Sequence, residues 1–261
     1  MSFQSPGEVR YYTFDSLQDT LTVHAIFTRQ GGVSPVPWNS LNIGGTVGDD
    51  PAHVRENRLR AFNALQRDPA TIFDVWQVHS ADAVIANVPR VPQSVYPQAD
   101  IILTDRPEVT LFMRFADCVP ILLFDPLQKA VGMVHAGWIG TVKGAAWAAV
   151  QAMQAHFGSR PFDLLAAIGP SIGPDHYEVG PDVVVQVKQA FGPDAAGLLQ
   201  VRDGRMHFDL WAANRLLLER AGVRQVEVAG LCTACHSEDW YSHRREKGRT
   251  GRFGAMIALR A

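Results

Sequence analysis

Residues 118–135 read CVPILLFDPLQKAVGMVH, two apolar runs separated by a turn centred on Pro126 and Leu127. Each run is short, rich in large aliphatic side chains and bounded by turn residues, the pattern of buried strands in a hairpin. A two-residue turn at Pro126-Leu127 sets Cys118 directly opposite His135. Opposed residues share a sheet face with Cβ atoms roughly 4.5–5.5 Å apart, near enough for a thiolate and an imidazole to reach one ion. The pairing depends on register, since a slip of one residue sends the two side chains to opposite faces. Pro-Leu is not among the preferred hairpin turns, and Pro120 sits where it can kink the strand beside Cys118.

Upstream, IFDVWQVHS (72–80), ADAVIANV (81–88), DIILTD (100–105) and VTLFMRF (109–115) are also strand-like, with short breaks containing Pro, Asp or Gly. Downstream, GWIGTVKGAAWAAVQAMQAHFG (137–158) reads as an alanine-rich helix led in by glycines and closed by Gly158. Helices over PDVVVQVKQAF and FDLWAANRLLLERAG alternate with strands at LLAAIG, LLQV, VEVAGLC and AMIAL. Towards the N-terminus, TVHAIF enters a long turn-rich loop. Pro51 then opens a helix whose Val54, Leu59, Phe62 and Leu65 fall near helical spacing, with Asp49 or Asp50 as cap. No internal repeat or linker interrupts the chain, so the expectation is α/β (α+β mixed): one domain over residues 1–261, a mixed β-sheet core flanked by helices.

The 261 residues are 47% hydrophobic and 19% charged, enough apolar surface for a core. A net charge of −2 offers no global basic field for nucleic acid. No apolar run approaches the roughly 20 residues of a membrane span, and MSFQSPGEVR lacks the apolar core of a signal peptide. A cytoplasmic protein is expected. Three cysteines, at 118, 232 and 235, cannot all pair and are read as reduced.

His79, at the end of its strand in WQVHSAD, supplies a third ligand if that strand end converges on the hairpin base. Two histidines and a cysteine suit zinc (Zn2+) in an open site, with a fourth position for water or substrate. The competing reading has two separate hydrogen-bonded histidines and a buried cysteine, because gaps of 39 and 17 residues match no zinc-finger pattern. For an anion there are two candidates. In AGWIGTVKG, glycines lead into a helix beside Lys143; in HRREKGRTGR, Arg244, Arg245, Arg249 and Arg252 can clamp phosphate or carboxylate. A tight turn and a solvated face explain these two stretches as well. Asp117 adjoins Cys118, and His176 and Tyr177 lie on a loop that can line a pocket. CTAC (232–235) is a lone CxxC, open to a redox or zinc role but read as structural. The tryptophans at 76, 138, 147, 211 and 240 read as core or pocket wall.

WQVHSADAV, ADCVPILLFD, VHAGWIGTVKG, AIGPSIGPDHYEVG and YSHRREKGRTGRFGA, with FTRQGGVSPVPWNSLNIGGTVGDDPAHVRENRLR before them, resemble the successive motifs of the bacterial laccase-domain (YfiH-like, multicopper polyphenol oxidase) family. The resemblance runs from about residue 27 to 258. It implies a zinc ion held by His79, Cys118 and His135, which are then also the catalytic residues. It also implies phosphorolysis of adenosine, inosine and methylthioadenosine to base and sugar 1-phosphate, with adenosine deamination on the side. Asn42 and Arg58 match polar positions of the N-terminal motif and join Lys143 and Arg245 as candidates for contacting substrate. The family's older names imply copper-dependent phenol oxidation, and its fold is similar to that of cytotoxic necrotising factor, a cysteine–histidine deamidase. A role in correcting peptidoglycan precursors is attached to some members. Cysteine–histidine hydrolysis, copper oxidation and a non-enzymatic envelope partner are thus the alternatives to a nucleoside phosphorylase. The expected partners are nucleoside and phosphate, neither nucleic acid nor membrane, and the expected assembly is a monomer or homodimer.

Overall fold

The computed structural model describes residues 2–18 and 21–260. The hairpin is present as Val119–Asp125 and Ala130–Ala136, but its loop has four residues, 126–129, with Asp125 paired to Ala130. Pro126 cannot take the positive φ that a type I′ turn demands. Instead, the Asp125 carboxylate accepts the N–H groups of Leu127 and Gln128 at 2.9 and 3.0 Å, and Lys129 closes the loop at φ 51°. The register therefore differs by two residues from the expected one. His135 pairs with Pro120, and the next step of the ladder sets Cys118 across from Gly137. Strand side chains alternate with period two, so this shift keeps Cys118 and His135 on one face as diagonal neighbours.

Among the described residues the β-structure is divided between two six-stranded sheets and a two-stranded one, Leu199–Arg202 with Arg205–Phe208, where the sequence suggested one core sheet. The first takes Ser2–Gln4, Tyr11–Thr13, Thr22–Phe27, Phe253–Leu259, Thr110–Phe115 and Ile72–Phe73 in spatial order. The second takes Gln225–Val228, Leu165–Ile168, Val119–Asp125, Ala130–Ala136, Ile101–Thr104 and Ala83–Ile85. Phe253, Ala255 and Ile257 of the first pack against Leu122, Phe124 and Met133 of the second. The alternate residues face outward: Met256 and Phe112 meet Ala61 and Phe62 of the helix Pro51–Ala64, while Ile121 and Leu123 meet the helices behind the second sheet. The result is a layered mixed α/β fold, helix on sheet on sheet on helices.

Local chemistry sets the helix ends. The Asp50 carboxylate caps Pro51–Ala64 by accepting the Ala52 N–H; Leu59, expected on its inner face, is exposed. The alanine-rich stretch is two helices, Trp138–Val142 and Ala145–Phe157, broken at Gly144 with φ 78°. Ala145, Ala149, Val150 and Met153 face the second sheet. The strand expected to carry His79 ends at Phe73; residues 77–80 form a loop, because their N–H groups turn to side-chain acceptors rather than to a neighbouring strand. No helix among the described residues is long and apolar enough to cross a membrane.

Thr110–Phe115 belongs to the first sheet and Val119–Asp125 to the second, so residues 116–118 carry the chain across. Asp117, at φ 80°, makes the corner. Cys118 lies at that crossing.

Candidate metal centre and its cleft

The ligand atoms of His79, Cys118 and His135 all lie within 4.8 Å of one another, a group that can hold a metal ion. Cys118 Sγ stands 3.9 Å from His79 Nε2, and the two imidazole centroids are 5.0 Å apart. Three separate stretches of chain converge here, and one buried carboxylate ties two of them together. Asp100 Oδ1 lies 2.7 Å from His135 Nδ1, while its Oδ2 accepts the N–H groups of Val78 and Ser80 at 3.1 and 2.6 Å. The same side chain therefore fixes the His135 ring and the loop that presents His79, itself at φ 58°. With Nδ1 engaged by Asp100, Nε2 of His135 is the nitrogen left for the centre, the arrangement that orients metal-bound histidines generally.

Charge in the centre is strongly coupled. Burial alone would raise the Cys118 thiol, but the His135 and His79 rings bring it down to about 6. Burial would lower His135, yet the Cys118 sulfur and the Asp100 carboxylate hold it up at about 9. Asp100, despite its burial, is kept at about 2 by His135 and the two backbone donors. A thiolate is thus available at neutral pH. Space is tight: a Cβ on Gly137 would stand 2.9 Å from Cys118 Sγ and 3.0 Å from His79 Cδ2.

The centre opens into a cleft of about 430 Å³. Arg114, Arg244 and Arg252 line it, with Trp76, Gln77 and Tyr177. Asp117 accepts the backbone N–H of Arg244 at 2.7 Å and the Thr233 hydroxyl at 2.6 Å, drawing the C-terminal segment over the cleft. Arg244 then spans the Tyr177 ring and donates to the Glu178 carbonyl. Arg114 donates to Gln77 Oε1 at 3.3 Å and to the Val75 carbonyl.

The structure brings His79, Cys118 and His135 together. It places the other sequence candidates differently. Asn42 is buried, accepting the N–H groups of Gly44 and Arg252 and donating to Asp49, so it shapes the wall that carries Arg252. Arg58 donates to the Ile43 carbonyl, Arg245 to the Ala234 carbonyl and Lys143 to the His79 carbonyl at 3.4 Å; none of the three lines the cleft. Sequence reasoning missed Asp100, Gln77 and Arg114. Arg114 carried a signal, a lone charge in the apolar run VTLFMRF; Asp100, one carboxylate ahead of an apolar strand, carried none.

An α/β fold with two histidines and a cysteine grouped under an arginine-lined cleft has the features of a metal-dependent enzyme class. Residues 23–260 match the family described as multi-copper polyphenol oxidoreductase laccase, and the chain belongs to that family. It is 41% identical to a purine nucleoside phosphorylase of Deinococcus radiodurans, over 90% of this chain and 88% of that one. It is 37% identical to the purine nucleoside phosphorylase YlmD of Geobacillus stearothermophilus, over 91% and 90%. The crystal structure of that YlmD superposes with a TM-score of 0.91 at 34% identity, covering 99% of this chain and 98% of the other. Bacillus licheniformis YfiH, a hypothetical protein, gives 0.90 at 31%, covering 99% of each chain.

Proposed function

We propose that the protein is a zinc-dependent purine nucleoside phosphorylase, converting adenosine, inosine or methylthioadenosine and phosphate to free base and sugar 1-phosphate, with adenosine deamination as a side activity. The observation that carries this reading is the His79, Cys118 and His135 group at the floor of a cleft lined by three arginines. The donor set suits zinc. Two imidazoles and a depressed thiol offer borderline-soft ligands, Asp100 orients one of them, and three donors leave one direction open to the cleft. Three N/S donors accommodate one ion rather than a copper cluster.

Zinc, when bound, supplies Lewis-acid activation at neutral pH, the chemistry that deamination at a purine carbon requires. Phosphorolysis needs a bound phosphate beside the sugar. A phosphate oxygen bonds the anomeric carbon as the carbon–nitrogen bond to the base breaks, and the electron pair leaves with the base. Arg114, Arg244 and Arg252 provide charge-assisted donors for that phosphate. Arg252 spends Nη1 on the Thr250 and Gly251 carbonyls, which fixes its guanidinium while its other N–H groups remain available. Trp76 and Tyr177 offer flat apolar walls for a purine ring. A cytoplasmic monomer or homodimer acting on small molecules goes with this reading.

Metal-replete protein given inosine and phosphate is expected to release hypoxanthine, measured spectrophotometrically. Release no greater than that of Cys118→Ala refutes the proposal. One observation favours a second reading. Asp100, His135 and Cys118 are also arranged as the orienter, base and nucleophile of a cysteine hydrolase. Rapid alkylation of Cys118 in the zinc-loaded protein, with parallel loss of activity, would favour it.

A further inference from the structure

The CTAC segment belongs to a different cluster from the cleft. Cys232 Sγ lies 3.7 Å and Cys235 Sγ 3.5 Å from the same atom, His176 Nδ1. Asp175 Oδ2 stands 3.0 Å from that nitrogen and 3.2 Å from Cys235 Sγ. All four ligand atoms fall within 4.8 Å of one another. One ring nitrogen cannot form hydrogen bonds with two sulfurs and a carboxylate oxygen together, whereas one cation at their centre satisfies all four. We propose that Asp175, His176, Cys232 and Cys235 form a second, structural zinc site that fastens the 171–177 loop to the 231–236 turn.

The geometry suits a tetrahedral ion. Bond lengths of about 2.3 Å to sulfur and about 2.0–2.1 Å to nitrogen or oxygen separate sulfur from nitrogen by about 3.6 Å and nitrogen from oxygen by about 3.3 Å. The observed sulfur–nitrogen distances bracket the first value, and the carboxylate needs to retreat by only a few tenths of an ångström. Cys232 is buried and accepts the Gly173 N–H at 3.2 Å, the kind of donor that supports a thiolate ligand. The two backbone segments are already laced by the Ser171–Cys232 bridge and by the Thr233 N–H to the Ser171 carbonyl. Asp175, His176 and Cys235 are exposed, so an ion enters directly from solvent. Four protein ligands leave no open position, which makes the site structural rather than catalytic. Binding a divalent ion releases the thiol protons and ties down both strands of chain. Tyr177 follows His176 into the cleft wall, and Thr233 holds Asp117 beside Cys118, so the ion steadies one side of the cleft from outside.

The test is zinc content per chain of full-length protein purified under reducing conditions with zinc. With two groups present, wild type is expected to hold two ions. Cys235→Ser, His176→Ala and Cys118→Ala should each hold one, and Cys118→Ala combined with Cys235→Ser none. Cobalt substitution adds a second readout. Thiolate-to-cobalt charge-transfer absorption should fall by about one third in Cys118→Ala and about two thirds in Cys232→Ser/Cys235→Ser. Failure of the cleft centre alone would leave Cys118→Ala at the wild-type count while Cys235→Ser still lost its ion. Wild-type zinc content in both Cys235→Ser and His176→Ala, or a Cys232–Cys235 disulfide in protein kept reduced, would overturn the proposal.

Discussion

Gly137→Ala is the substitution that most sharply probes the cleft centre. Gly137 sits at φ −70° and ψ 177°, a conformation any residue adopts, so alanine changes only the space. Its methyl would stand 2.9 Å from Cys118 Sγ and 3.0 Å from His79 Cδ2, against comfortable carbon contacts of about 3.5–4.0 Å. Cys118 Sγ and the His79 ring must each retreat from the methyl by about half an ångström or more, whereas metal sites tolerate deviations of about 0.2 Å. Overpacking of this kind costs about 1–3 kcal/mol. Expressed against the metal-bound geometry, at about 1.4 kcal/mol per tenfold, that is about 5- to 150-fold weaker zinc binding. The assay buffers free zinc with a chelator and follows protection of Cys118 from alkylation by peptide mass spectrometry. Gly197→Ala is the control, since nothing lies within 4 Å of its Cβ position. An unchanged protection midpoint in Gly137→Ala would show that the ion is not held between Cys118 and His79.

Further outcomes follow from other contacts. Asp100→Asn replaces one of two acceptor oxygens, Oδ1 facing His135 and Oδ2 facing the 78–80 backbone, with an amide donor, and should weaken zinc binding in the same assay by about 10- to 100-fold. Arg252→Ala, removing a charge-assisted donor worth about 1.5–3 kcal/mol, should raise the phosphate KM about 10- to 150-fold while changing the nucleoside KM much less; equal effects on both would count against a phosphate role. His24 titrates in the opposite sense to a paired histidine. Burial pushes it down to about 4, with Nε2 accepting the Phe14 N–H at 2.9 Å. Above its ordinary pKa it contributes no pH dependence. As pH falls through 6.5 the unfolded chain takes up the proton first, and stability drops by about 3 kcal/mol by pH 4. Urea denaturation of His24→Gln should show a correspondingly shallower acid limb, and superimposable limbs would contradict the assignment.

That Cys118 and His135 share a face was legible, although they are not directly paired, because strand periodicity is robust to even errors of register. The turn at Pro126 was misjudged, but a two-residue slip preserves the face. Arg244 and Arg252 of the cationic run, and Tyr177 of the GPDHYEVG loop, also reached the cleft. Sheet membership was not legible. Thr110–Phe115 and Val119–Asp125 are both buried apolar runs separated by three residues, and nothing in that spacing says that they belong to different sheets. The crossing depends on Asp117 adopting a positive φ, held by Thr233 and the Arg244 backbone from far along the chain. Asp100 was hidden for the same reason, since its importance lies in three partners that only tertiary structure assembles.

The reaction itself is tested most directly by product identity, followed by 31P NMR during incubation of metal-replete protein with inosine and inorganic phosphate. Phosphorolysis at the His79, Cys118 and His135 centre predicts ribose 1-phosphate appearing in step with hypoxanthine, and neither product from Cys118→Ala. Hypoxanthine with an unchanged phosphate signal, or the same ribose 1-phosphate yield from Cys118→Ala, would contradict it.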